Sequence, residues 1–337
     1  HYYKPDTEKY GENSLLPTSP DHLLNNEMLD SVIDTASTRN FDINAWAVFL
    51  HNSAIGMKNP EATVTNVYGN HFLSELCPSN PRVRSYVLGL TSDLCSRGIK
   101  SLAMESLHFH GARHGEHHER FFIKMSAATE FLLSLCFCQS CMDHFTQSGG
   151  DALRLKAKVV AALKPFIYEA DSWLDKAITK DLLAQILGSE ILDYLRSREE
   201  TLSHLYREVS TIAHAAQVTT RLVDQSTLID GENQNPLELS WLLGIDNVQV
   251  RNFVDIYEPL LYRNTPAAVW EIADHYNKSV GGKIVAILRP TYPDNTSAEN
   301  LVKKVHALKS LGISEIDFYL LDIMRPRDLQ WIKNALS

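Results

Sequence analysis

The sequence predicts an α/β protein of the (β/α)8 TIM-barrel type, and three observations carry that expectation. Short runs rich in Val, Ile, Leu and Phe alternate with amphipathic segments of helical period, the order that builds a parallel sheet covered by helices. Those runs are apolar almost throughout, as strands buried on both faces must be. No glycine-rich first turn marks an open nucleotide-binding sheet: Gly149-Gly150 follows no apolar run, and Gly281-Gly282 precedes one. The expected architecture is one barrel domain over residues 1–337, lacking or distorting its first one or two strands. A His-rich loop and a helical insertion interrupt it at about 106–216.

The strand candidates in order are Ile43–Leu50, Ile99–Glu105, Val218–Asp224, Val248–Asp255, Ile284–Leu288 and Ile316–Leu321. Between the first two, Asn80-Pro81 supplies a helix cap and a proline at the first helical position. Val83, Tyr86, Val87, Leu90 and Leu94 then share a face, and Gly98 ends the segment. A long helix over Glu190–Ala215 carries Leu195, Leu202, Leu205, Val209 and Ile212 at helical spacing. Thr296 with Glu299 forms a capping box before Leu301, Val302, Val305 and Leu308, with Gly312 as the stop.

Charge and composition exclude whole classes of function. With 32 Lys+Arg against 41 Asp+Glu the net charge is −9, and no basic run appears. A nucleic-acid or anionic-membrane surface needs clustered cations, so neither partner is expected. No apolar stretch approaches the ~20 residues of a membrane span. The opening His1-Tyr2-Tyr3-Lys4-Pro5-Asp6 lacks the apolar core of a signal peptide, so the chain reads as a fragment or a processed form. Five cysteines, three of them at Cys136, Cys138 and Cys141, are an odd, crowded set. Metal binding or burial suits them better than disulfides, and a reducing cytoplasmic setting is favoured over others. Self-association into a homo-oligomer is compatible with the composition.

Three constellations carry chemistry. Glu105 ends the apolar run Ser101-Leu102-Ala103-Met104 and would stand at the carboxyl-terminal mouth of a barrel, where this fold places its active sites. A partly buried carboxylic acid there suits protonation of a glycosidic oxygen; the plainer alternative is a Glu that caps or pairs with a nearby histidine. Next comes His108-Phe109-His110-Gly111-Ala112-Arg113-His114-Gly115-Glu116-His117-His118-Glu119-Arg120. His110 and His114, or His114 and His118, are four apart, so a helical turn would aim both rings at one metal. The H-E-x-x-H pattern is absent, and Gly111 and Gly115 weaken a helix. Hydrogen bonding of sugar hydroxyls by His108, His110, Arg113 and His114 is the favoured role. The third constellation, Cys136-x-Cys138-x-x-Cys141, becomes a tetrahedral zinc site if a fourth cysteine joins it. Cys95, among apolar helix neighbours, reads as a small buried residue.

The order Leu76-Cys77-Pro78-Ser79-Asn80-Pro81, a strand ending in Glu105, then Cys136-x-Cys138-x-x-Cys141 resembles the family 42 β-galactosidases over residues 76–145. It is also similar to bacterial glycosidase-like barrel proteins with Leu-Cys-Pro, His-rich and Cys-Phe-Cys segments. The resemblance implies a glycoside hydrolase acting on a carbohydrate substrate, with Glu105 as acid/base. It further implies Cys77, Cys136, Cys138 and Cys141 as ligands of one structural zinc that takes no part in catalysis. Two departures stand out. Met104 occupies the place where the family has an asparagine, and the run Ile284–Leu288, where its nucleophile would lie, ends in Arg289-Pro290-Thr291-Tyr292.

The second carboxylate is therefore sought elsewhere. Asp224 is the first choice and Asp255 the second, each closing a strand candidate; Asp322 closes the last, and Asp294 suits a turn. An inverting geometry would accommodate such placements better than a retaining one. His51-Asn52 and Arg289 follow strands and would face the same mouth, the guanidinium fitting an anionic sugar. Trp46 and Trp241 would stack on sugar rings or fill the core. Two other functions compete: a zinc-dependent hydrolase built on the His108–Glu119 loop, and a barrel that binds carbohydrate without cleaving it.

Overall fold

The computed structural model describes residues 3–19, 27–112, 123–173, 176–229 and 235–337. The chain is a mixed α/β protein with parallel strand pairing, and it divides into two compact units. One comprises residues 1–218 with 241–246, the other 219–240 with 247–337.

In the first unit, α1 (Glu27–Thr38) leads into β1 (Asn44–Val48). The short α2 (Ser53–Lys58) precedes a hairpin of β2 (Thr63–Thr65) and β3 (His71–Leu76), turned at Gly69 with φ +84°. That hairpin has no counterpart among the expected strands. Then come α3 (Pro81–Cys95) and β4 (Ser101–Glu105). Strands β1 and β4 are parallel, with Val48 opposite Glu105. Helix α3 begins where the proline signal places it, Asn80 Oδ1 accepting from the amides of Arg82 (2.9 Å) and Val83 (3.4 Å).

The amino-terminal segment is no strand but a strap over α3. Asp6 N donates to Asp93 Oδ2 at 3.0 Å, and Arg97 lies 4.3 Å over the Tyr3 ring. Gly89 makes room for Tyr10, whose ring atoms would sit 2.6 Å from an added Cβ.

A run of helices follows: α4 (Ala127–Ser134), α5 (Gln139–Gln147), α6 (Ala152–Tyr168), α7 (Lys180–Leu187) and the long α8 (Glu190–Ala215). Its apolar stripes meet in one core around Phe131, Leu155, Val159, Leu187, Tyr194 and Trp241. Trp241 thus serves as core. Among the described residues no helix is long and apolar enough to cross a membrane.

The second unit is a run of βα pairs. It holds β5 (Thr219–Asp224), the single turns α9 (Pro236–Leu239) and α10 (Asn247–Val250), and β6 (Ile256–Pro259). After these come α11 (Pro266–Ser279), β7 (Lys283–Ile284), β8 (Ala286–Leu288), α12 (Ala298–Ser310), β9 (Ile316–Phe318) and α13 (Pro326–Leu336). Strand β5 pairs with β6, β6 with β7, and β8 with β9, all parallel. These pairings within the units are those of a βα protein; they do not by themselves close a barrel.

Two local expectations are corrected. The run Val248–Asp255 is not a strand: its start is the turn α10, with Val248 62% exposed, and pairing begins only at Ile256. Val250 and Val254, four apart, are buried, so the apolar spacing was that of a helical turn. The cap of α12 is Ser297 rather than Thr296, its hydroxyl accepting from Asn300 N at 3.1 Å.

Candidate active site and metal centre

Glu105 closes β4 with its side chain half-buried, and the chain turns sharply after it. Ser106 takes φ +55°, a left-handed conformation rare outside glycine, while being only 2% exposed. The turn is held by Phe49 N and Leu50 N, which donate to the carbonyls of Glu105 (3.0 Å) and Ser106 (3.2 Å). Trp46 Nε1 donates to Glu105 Oε2, so the indole fixes one carboxylate oxygen. The indole is itself 38% exposed.

The strand-following histidines gather on the same side. His51 pairs through its backbone with Glu75 of β3, a fully buried carboxylate that the sequence reading did not single out. Burial pulls the His51 imidazole below its ordinary pKa, and the Glu105 charge pushes the other way. Its ring lies edge-on to that of His110 at 6.2 Å, and His108 and His110 are 4.3 Å apart. Both of the latter are buried. His108 Nδ1 lies 3.1 Å from its neighbour Phe109 O, which puts the proton on Nδ1 because a carbonyl only accepts. Asn52 works for the scaffold, accepting from Ile55 N at 3.1 Å and donating to Tyr86 Oη at 3.3 Å. Arg113, His114 and the rest of the loop through Glu119 lie outside the described residues.

The cysteine set converges. Cys77, after β3, meets Cys136, Cys138 and Cys141 around the start of α5, all four buried and none in a disulfide. Their sulfurs lie within 4.8 Å of one another. Cys77 Sγ is 3.5 Å from Cys141, 3.6 Å from Cys138 and 3.7 Å from Cys136. A tetrahedron of ~2.3 Å zinc–sulfur bonds has edges of about 3.8 Å, so the spacing fits. Hydrogen bonds from Cys136, Cys141 and Cys77 pull the Cys138 thiol far down; Cys136, Cys138 and Cys141 push Cys77 up, and Cys136 and Cys138 push Cys141 up against Cys77. Four buried sulfurs so placed can all ionise only around a cation. Thr65 N donates to Cys136 Sγ at 3.4 Å, and Ser79 Oγ lies 3.3 Å from Cys141 Sγ. Among the described residues this is the group of side chains placed closely enough to hold a metal ion; His51, His108 and His110 form no such group.

In the second unit the strand-end carboxylates accept hydrogen bonds from neighbouring groups. Asp224 is fully buried, accepting from Ser226 N at 2.8 Å and Tyr276 Oη at 2.7 Å. Asp255 stands at the amino end of β6, not its carboxyl end, and accepts from Thr220 N (2.7 Å) and Oγ1 (2.9 Å). Arg289 pairs with Asp294 and lies 4.6 Å over the Tyr262 ring. Asp322 lies exposed in a single 3-10 turn.

The carboxylate that does end near the carboxyl terminus of β6 is Glu258, which sequence reasoning missed because it placed the strand too early. It is fully buried and in contact with the Arg221 guanidinium, which also holds Asp317 at 2.7 Å. Burial pushes the Glu258 carboxyl up to about 8; Arg221 opposes this, and Asp317 adds to it. The available signal was the buried strand Ile256-Tyr257-Glu258-Pro259, a Glu between an aromatic and a proline.

No protein-family model matches the chain, and no curated protein matches it. Solved structures similar to it include the chitinase of Chromobacterium violaceum, at 7% identity and a TM-score of 0.46, over 92% of this chain and 84% of that one. Another is Ega3 of Aspergillus fumigatus in complex with galactosamine, at 10% identity and 0.41, over 86% and 79%. A third is an inactive mutant of the GH20 exo-β-N-acetylglucosaminidase of Vibrio harveyi, at 10% and 0.45, over 92% and 41%.

Proposed function

We propose that this chain is a carbohydrate-active hydrolase of the glycosidase kind, with Glu105 as its general acid/base and one structural zinc held by Cys77, Cys136, Cys138 and Cys141. The observation that carries the reading is the environment of Glu105: a half-buried carboxyl at a strand's carboxyl end, gripped on one oxygen by Trp46. An indole N–H can only donate, so Oε2 accepts; the carbonyl oxygen of a neutral acid is the stronger acceptor, which favours the acidic proton on Oε1. Oε1 is then the atom that delivers the proton to a glycosidic oxygen. Burial keeps His51 toward its neutral form, against the pull of the Glu105 charge. The partly exposed indole offers an apolar face beside the acid, suited to a sugar ring. Bound zinc would tie the Cys77 loop to the start of α5 and supplies no step of the reaction.

The test is hydrolysis of aryl glycosides, beginning with aryl β-galactosides, by the wild-type chain and Glu105→Gln. Loss of protonation should cost about 10²–10⁴-fold on poor leaving groups and much less on activated ones. Equal activity of the variant on both classes would overturn the role of Glu105.

A further inference from the structure

Side chains alternate between the faces of a strand, and parallel partners in register share a face. In the second unit Val223 of β5 stands opposite Glu258 of β6, so Arg221, two positions before Val223, shares the face of Glu258. Ile287 of β8 stands opposite Asp317 of β9, and Leu260 bridges to Ile287. The pairing runs past the strand ends, Leu261 N donating to Ile287 O and Tyr319 N to Leu288 O, both at 2.9 Å. Tyr262, Arg289 and Tyr319, two positions beyond Leu260, Ile287 and Asp317, therefore project on that same face at its carboxyl end. The contacts agree. The Tyr262 and Tyr319 rings stack at 6.1 Å with 27° between their planes, and Arg289 lies 4.6 Å over Tyr262. Toward the amino end, Arg221 Nη2 donates to Asp317 Oδ2 at 2.7 Å and touches Glu258.

The face thus joins half-buried rings to an open carboxylate. Tyr262, Arg289 and Tyr319 are half-buried, and 43% of the Asp317 side chain is exposed. Glu258 is fully buried and kept toward its neutral form by that burial, so Asp317 is the anionic partner of Arg221. A carboxylate held in one orientation accepts strongly from hydroxyls. An aromatic ring offers an apolar surface to the C–H face of a pyranose. Rings with a few fixed polar groups at the carboxyl ends of parallel strands are the usual setting of a small-ligand site. Arg289 already pairs with Asp294, so the face presents an acceptor rather than a free cation. That balance selects a neutral sugar over a uronate or a sulfated one.

We propose that Asp317 and Tyr319 form a subsite for a neutral pyranose ring, Asp317 accepting from ring hydroxyls while Tyr319 lies against the C–H face. Arg221 and Glu258 position Asp317, and Tyr262 with Arg289 backs the Tyr319 ring. The subsite refines the carbohydrate-active reading above and rests on it. It is a binding site, with no bond-breaking step.

The experiment titrates the full chain with methyl β-galactopyranoside, methyl β-glucopyranoside and glucuronate, read by ligand-observed NMR. A neutral glycoside should bind, and more tightly than glucuronate. Tyr319→Ala and Asp317→Asn should each weaken it about 10-fold, while Tyr319→Phe keeps the ring and stays close to wild type. Matching circular dichroism separates lost binding from lost fold, and Tyr319→Leu replaces an alanine variant that does not fold. Wild type that binds no neutral glycoside, tighter binding of glucuronate, or unchanged affinity in folded Tyr319 and Asp317 variants would each overturn the subsite. Aryl-glycoside turnover that still depends on Glu105 would then leave the hydrolase reading standing. The reverse pattern, binding as expected with turnover indifferent to Glu105, would uphold the subsite and remove only the assigned acid.

Discussion

Replacing Glu258 by Gln should remove most of a pH dependence of stability that the buried carboxyl imposes on the second unit. In the unfolded chain this group titrates near 4.5; burial between β5 and β9 raises it to about 8, against the pull of Arg221. The folded state therefore holds one proton more than the unfolded state through that window. Stability is fully present below pH 4.5 and is lost as pH rises through 8. At about 1.4 kcal/mol per pH unit, the loss between pH 5 and 9 amounts to at most about 4 kcal/mol. A glutamine has the shape of the neutral acid and can still accept from Arg221, while Asp317, at 2.7 Å and 43% exposed, remains the ionic partner. The assay is urea unfolding of wild type and Glu258→Gln at each pH unit from 5 to 9. The two curves of stability against pH should diverge, wild type falling relative to the variant as the medium turns alkaline. Parallel curves would refute the claim that Glu258 is held protonated by its burial.

Three other outcomes follow from particular contacts. Gly89→Ala puts a Cβ 2.6 Å from the Tyr10 ring, so the strap over α3 should loosen. We expect about 1–3 kcal/mol of lost stability and faster proteolysis within residues 3–19, read by mass spectrometry of limited digests. Ser106→Gly should relieve the left-handed backbone at φ +55° and gain about 1 kcal/mol, while freeing the turn that presents Glu105; thermal unfolding together with aryl-glycoside turnover should show stability rising as kcat falls. Cys138→Ser should abolish stoichiometric zinc, measured by elemental analysis. Chelating the wild type should lower its stability by about 4 kcal/mol relative to buffer with free zinc at 1,000 times Kd.

Much of the local structure was legible in the residues alone. Asn80-Pro81 starts α3, and the apolar period over Glu190–Ala215 is the extent of α8. Glu105 ends β4 as its apolar run implied. Such features depend on contacts within a few residues, where backbone hydrogen bonding and side-chain period leave few choices. The reading erred where local pattern was ambiguous. Two valines four apart, Val250 and Val254, suit a helical turn as well as a strand, and this displaced β6 and hid Glu258 behind Asp255.

What the sequence determined by itself was therefore the chemical inventory and most element ends: a carboxylate closing an apolar strand, a crowded set of thiols, an acidic chain without basic patches. Tertiary structure alone decided which of those groups meet. Cys77 joins Cys141 across 64 positions of chain, and Trp46 reaches Glu105 across 59. It also decided the environment of each charge. Asp224 is satisfied by Tyr276, Arg289 by Asp294, and Glu258 is shut in with Arg221. The physical reason is that a side chain's chemistry is local, whereas its solvation and its partners are set by whatever the fold packs against it.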